Sequence, residues 1–196
     1  MTISADMHQK NDICGLILAG GAGRRVGGRD KGLMAWREKP LVAHVIHRIA
    51  PQVGPLLLSC NRNTENYATF GLPLISDSRE EFQGPLAGIE SACDSIESEF
   101  LLIAPCDTPA LPNDLATRLL QPLRSPEGEK LDVSYAHDGV RAQYLCAMLR
   151  RRVLASIRNY LDSGRRSVRG WYGELRSASV DFADQPAAFE NFNELK

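Results

Sequence analysis

The chain lacks any long apolar run: nowhere do about 18 consecutive residues stay hydrophobic, so no helical membrane span is expected. It also lacks an excess of charge. Lys and Arg number 23 against 24 Asp and Glu, a formal net charge of -1. That gives no reason to expect nucleic acid or a membrane as partner of the whole molecule, so anion binding must come from local clusters. Cysteine is sparse, and Cys14, Cys60, Cys93, Cys106 and Cys146 stand singly. They lack the short spacing of a zinc or redox motif, and an odd count fits a disulfide framework poorly. Reduced, buried thiols in a cytoplasmic protein are expected. His8, His44, His47 and His137 form no Ser/His/Asp or Cys/His set. The first twelve residues carry Asp6, Lys10 and Asp12 without an apolar stretch; they do not read as a secretory signal and are expected to be a flexible tail. Repeats, low-complexity segments and linkers are missing too.

What remains is a chain of 196 residues, 43% hydrophobic and 24% charged, sufficient for one full core and short for two. A single domain over 13–196 is expected. Short apolar runs alternate with helix-spaced ones. Strands are expected at Ile13 to Leu18, Leu56 to Cys60, Leu72 to Ile75 and Phe100 to Ala104. Helices are expected from Pro40 through Ile49, over Leu86 to Ile96, and from Pro112 to Leu120. Such alternation implies crossover units and a mostly parallel sheet covered on both faces. Beyond Pro122 the pattern loosens: Leu131 to Tyr135 and Gln143 to Leu149 read as strands around Asp138-Gly139, Val153 to Leu161 as a helix, and Val180 to Phe182 as a last strand. Arg150, Arg151 and Arg152 read as a solvated helix start.

The stretch Leu18 to Lys31 follows the first strand and holds five glycines in fourteen residues. Glycines let backbone N–H groups approach a phosphate, and a strand end is where open α/β sheets bind ligands. Arg24, Arg25, Arg29 and Lys31 add four cations against one acidic residue, Asp30. The nucleoside-triphosphatase loop is excluded, because no glycine here precedes a lysine. The dinucleotide fingerprint fails as well: Gly21 and Gly23 begin it, but Val26 occupies the third glycine position. A second feature lies in Pro105-Cys106-Asp107-Thr108-Pro109, where a carboxylate follows a buried strand. From position alone it either holds a metal among substrate phosphates or orders a turn. Asn61 and Asp77 also stand just past strands.

The run Leu18 to Leu33, with Gly-Gly-Arg-Asp-Lys-Gly from Gly27 to Gly32, resembles the signature loop of the molybdenum cofactor guanylyltransferases. Pro-Cys-Asp-Thr-Pro is similar to that family's metal motif, and Gly84-Pro85-Leu86-Ala87-Gly88 to a segment lining its base pocket. The resemblance implies a three-layer α/β/α fold with a Rossmann-like, mostly parallel sheet of the nucleotide-diphospho-sugar transferase type. It implies a nucleotide half over about 13–122 and a pterin-side half over 123–196.

On this resemblance Leu18, Ala19 and Gly20 line the guanosine site with their backbone, and Asn61 and Asp77 bind the nucleotide. Lys31 and Arg25 hold the triphosphate, and Asp107 binds Mg²⁺. Phe189-Glu190-Asn191-Phe192-Asn193 resembles the family's closing Asn-x-Asn element, which places Asn191 and Asn193, with Arg165, on the pterin side. The chain ends at Lys196 without the Thr-Pro that commonly follows. The implied reaction joins the phosphate of molybdopterin to the α-phosphorus of GTP and releases pyrophosphate. Transient contacts with cofactor-biosynthesis proteins and recipient molybdoenzymes would accompany it. Use of CTP, a sugar phosphate acceptor and non-catalytic nucleotide sensing stand as alternatives.

Overall fold

The computed structural model describes residues 10–21, 29–80 and 83–192. β1 (Ile13–Leu18) is apolar at every position but Gly15, as a strand buried on both faces must be. Two short strands, β2 (Ala35–Trp36) and β3 (Lys39–Pro40), pair as a separate ribbon and lead into α1 (Leu41–Ile49). The chain continues through β4 (Leu56–Ser59), α2 (Thr64–Ala68), β5 (Leu74–Ile75), α3 (Pro85–Ala92), β6 (Phe100–Pro105) and α4 (Leu115–Arg124). It closes with β7 (Val133–His137), β8 (Ala142–Arg150), α5 (Ser156–Asp162), α6 (Val168–Tyr172) and β9 (Ser177–Asp181).

The main sheet has seven strands in the order β5-β4-β1-β6-β8-β7-β9. Every pairing is parallel except the two made by β8. Period-two alternation divides the strand side chains between two cores. Ile13 and Ile17 pack with Val42, Val45 and Ile49 of α1 and with Leu115 and Leu119 of α4. Cys14 and Leu16 pack on the opposite face with Leu86 and Ile89 of α3, Ile157 and Leu161 of α5, and Trp171 of α6. Helices thus cover both faces, the three-layer arrangement expected from the sequence.

Three local expectations change. The helix expected from Pro112 starts at Leu115 and runs through Pro122 to Arg124. Leu119, Leu120 and Leu123 are all buried. Leu123, the one of these beyond the proline, also gives its carbonyl to the Arg150 guanidinium at 2.7 Å, and its burial and this bond hold the last turn against the cost of an interior proline. Arg150 does not begin a solvated helix but ends β8: its guanidinium donates to Leu131 O at 3.0 Å and Leu123 O at 2.7 Å, and pairs with Glu99 at 2.7 Å. The last strand spans Ser177–Asp181; Phe182 N still donates to His137 O of β7 at 2.8 Å, while its ring stands edge-to-face on Phe189. The expected tail over 1–12 falls largely outside the described residues. Its last two residues are tied down: Ser98 Oγ donates to Asn11 O at 3.1 Å, and Phe100 N to Asp12 O at 3.0 Å.

Because β1, β4, β5 and β6 are mutually parallel, their carboxyl ends share one edge. α1 leaves β1 toward one face, whereas α3 enters β6 from the other. The loop after β1 therefore leaves the sheet at a switch point, where such sheets open a ligand crevice.

Candidate nucleotide site

Four loops meet at this edge. After β1, Leu18 O accepts Cys106 N at 3.1 Å, and Ala19 N donates to Ser59 O at 2.8 Å. These bonds extend the ladder past the strands and commit the Ala19 amide to the sheet. Gly20 comes next, and a Cβ there would stand 3.0 Å from Asn61 Nδ2. The glycine thus lets the chain pass directly over the Asn61 amide. Described structure resumes at Arg29, ahead of a single 3₁₀ turn over Lys31–Leu33.

Lys31 Nζ lies 3.2 Å from Asp107 Oδ2, with side chains 25% and 18% exposed, so both charges are within reach of a ligand. The structure thus joins the two residues that the sequence singled out separately. Asp30 turns away from this pair. Its carboxylate accepts from Tyr67 Oη at 2.6 Å, Asn63 Nδ2 at 3.0 Å and Gly32 N at 3.2 Å. Burial and the bond to Asp30 both push the Tyr67 hydroxyl pKa up, so it stays a neutral donor.

Asn61 and Asp77 form a reciprocal pair at the ends of β4 and β5. Asn61 Nδ2 donates to Asp77 Oδ2 and Asp77 N donates to Asn61 Oδ1, both at 2.8 Å. The other carboxylate oxygen, Asp77 Oδ1, is buried without a hydrogen-bond partner. Desolvation by burial raises the Asp77 pKa, the Asn61 bond opposes that shift, and Glu90 adds to it. Gly88 of α3 lets the helix come close here, since a Cβ would stand 2.6 Å from Ser59 Oγ and 3.5 Å from Asp77 Oδ1.

The carboxyl-terminal segment reaches the same place. Phe192 N donates to Asp107 O at 2.9 Å, and Thr108 Oγ1 to Asn191 Oδ1 at 3.0 Å, so Asn191 packs against the Asp107 loop. Arg165 lies between α5 and α6. Its guanidinium engages Glu174, donates to Ser163 Oγ at 2.8 Å and covers the Tyr160 ring at 4.2 Å, none of them in the group around Lys31 and Asp107. Arg25 and Asn193 lie outside the described residues. Reading the sequence missed Asp30, which entered only as a charge in a count, and its partners Tyr67 and Asn63, which sit in a segment without helical periodicity.

The cysteines are free, with Cys93 half-buried and the rest buried. Burial pushes the Cys14 and Cys93 thiols up to about 11, and Cys106 and Cys146 higher still, with the Asp107 charge adding to both of the latter. They are protonated at neutral pH and are not nucleophiles. Among the described residues no helix is long and apolar enough to cross a membrane.

Comparison with known proteins matches this geometry. The family model of the MobA-like NTP transferase domain covers residues 15–178. The molybdenum cofactor guanylyltransferase of Shewanella sediminis is 43% identical over 181 residues, 92% of this chain and 91% of the relative. Its counterpart in Shewanella halifaxensis is 42% identical over 178 residues, 91% of this chain and 88% of the relative. The molybdopterin-guanine dinucleotide biosynthesis protein A of Archaeoglobus fulgidus shares the fold with a TM-score of 0.72 at 19% identity, covering 92% of both chains. The 4-diphosphocytidyl-2C-methyl-D-erythritol synthase of Anaerococcus prevotii shares it at 0.65 and 12% identity, over 90% of this chain and 89% of that one. A signature loop read from sequence, a shared sheet edge and relatives matched along almost their whole length lead to one conclusion: the chain belongs to the molybdenum cofactor guanylyltransferases, within the MobA-like NTP transferase family.

Proposed function

We propose that the chain transfers GMP from GTP to the terminal phosphate of molybdopterin. A new bond forms between an acceptor phosphate oxygen and the α-phosphorus, and the bond from the α-phosphorus to the bridging oxygen breaks as pyrophosphate leaves. The observation that carries this reading is the Lys31–Asp107 pair, at 3.2 Å, on the sheet edge that also holds Asn61–Asp77. The acceptor oxygen is already anionic, so no general base is needed. Positioning and charge stabilisation carry such transfers.

In this reading the unpartnered Asp77 Oδ1 accepts an N–H of the base, and Asn61 holds Asp77 in place. Lys31 exchanges its bond to Asp107 for the β- and γ-phosphates and stabilises the departing pyrophosphate, with Arg25 as a second phosphate cation. Asp107 fits Mg²⁺: it is a single accessible carboxylate, which suits an ion completed by substrate phosphates. Among the described residues no cluster of three or more His, Cys, Asp or Glu could cage an ion unaided. When bound, the ion would neutralise phosphate charge. Asn191, packed on the Asp107 loop, is assigned with Asn193 and Arg165 to the acceptor side. The reaction is assigned to the cytoplasm, where transient contact with cofactor-biosynthesis proteins and recipient molybdoenzymes would deliver and remove the pterin.

A pyrophosphate-release assay with purified molybdopterin and GTP, CTP, ATP or UTP in turn tests the reading. Release with GTP alone is expected. Release with CTP in preference to GTP, or only with a sugar phosphate as acceptor, would replace the proposed substrates.

A further inference from the structure

Asp30 precedes Lys31, and its carboxylate is only 6% exposed. An acidic side chain beside a phosphate-binding lysine would ordinarily compete with the ligand for the ammonium and repel the anion. Here it does not bond the ammonium, because its two oxygens are taken elsewhere. Oδ1 accepts both Tyr67 Oη and Gly32 N, while Oδ2 accepts Asn63 Nδ2 and faces Arg62 Nε at 3.6 Å. Lys31 is thereby bracketed, since the residues on both sides of it are tied to one carboxylate. The tie is rooted in the core: Tyr67 is fully buried in the cluster beneath α1. The fit is close, for a Cβ on Gly32 would stand 2.4 Å from Tyr67 Oη. Asn63 donates from a left-handed backbone (φ 52°) at the start of α2, two residues beyond Asn61 on the same loop.

We propose that Asp30 is a positioning residue for Lys31, clamped by Tyr67 and Asn63 so that the lysine ammonium is presented to the triphosphate while the Asp30 carboxylate is held from pairing with it. The proposal rests on the assignment of Lys31 to the triphosphate made above. Asn61 and Asn63 thus make separate contacts from one loop, Asn61 to Asp77 and Asn63 to Asp30.

Calorimetric titration of GTP and GMP tests it on wild type, Tyr67→Phe, Asn63→Gly, Lys31→Ala and Tyr67→Phe/Lys31→Ala, each checked for folding by thermal melting. GMP lacks the phosphates that Lys31 would hold, and Asn63→Gly keeps the left-handed backbone while removing the donor. Tyr67→Phe and Asn63→Gly should each weaken GTP binding roughly tenfold and leave GMP binding unchanged. Adding Tyr67→Phe to Lys31→Ala should weaken GTP binding no further. Parallel loss of GTP and GMP, or full additivity in the double variant, would overturn the clamp. Preference of the wild type for another triphosphate would overturn the guanine reading alone; that triphosphate and its monophosphate then decide the clamp by the same comparison.

Discussion

Lys31 and Asp107, 76 residues apart in the chain, hold each other at 3.2 Å across the ends of β1 and β6. Neither carboxylate nor ammonium is deeply buried, so the pair contributes about 0–1 kcal/mol to stability. The charges are available for exchange with ligands.

Asp107→Ala is accordingly expected to fold like the wild type, with a melting temperature within roughly 3 °C. Mg²⁺-dependent pyrophosphate release should be lost, by more than about 100-fold. A variant that keeps near-normal turnover at saturating Mg²⁺ would remove Asp107 from the metal role.

Lys31→Ala is expected to weaken GTP binding by roughly 10- to 100-fold through loss of a charge-assisted phosphate contact. Isothermal titration reads this directly, and an unchanged dissociation constant would dissociate the loop from the triphosphate.

Gly32→Ala places a methyl group 2.4 Å from Tyr67 Oη and 3.3 Å from Cys106 Sγ. Overpacking of this kind costs about 1–3 kcal/mol, so the melting temperature should fall. Tyr67→Phe removes the atom in closest conflict. The Gly32→Ala/Tyr67→Phe protein should therefore be more stable than the sum of its single changes predicts; simple additivity would mean that the loop relaxes without meeting Tyr67.

Asp77 carries a raised pKa because burial disfavours its charge. A carboxylate shifted this way lends stability below its unfolded-state value and loses it as pH rises through the folded value. At pH 7 the ionised group is therefore a burden. Asp77→Asn should raise the melting temperature there by roughly 2 °C, with the gain shrinking as pH falls toward the ordinary aspartate range. GTP affinity should fall in the same variant, and wild-type affinity should decline on acidification. A variant neither stabilised nor impaired would show that Asp77 is solvated and idle.

β1 and β6 were legible because burial on both faces leaves uninterrupted apolar runs, and the stretch after β1 was marked as a candidate phosphate loop because such chemistry demands glycine and cations together. Asp107 was legible as a carboxylate ending a buried strand, although position alone left a turn role open. The β2–β3 ribbon was not. Its turn residues Arg37 and Glu38 both adopt positive φ (47° and 65°) without the Asn-Gly pair that ordinarily signals such a turn. α2 has five residues, too few to show a helical period. The extension of α4 through Pro122 was hidden by proline itself, since only tertiary burial of Leu123 reveals why the last turn persists.

The sequence by itself determined the α/β class and marked Lys31 and Asp107 as candidates, while Asn61 and Asp77 became candidates through the family resemblance. The first of these rests on local composition, which decides strand burial, and the rest on residue type and motif at a strand's end. Tertiary structure alone decided the partnerships: Lys31 with Asp107, Asn61 with Asp77 across 16 residues, and Asp30 with Tyr67 across 37. These depend on which strands lie side by side and in what register. That choice is made by packing two cores at once, and no window of sequence contains it.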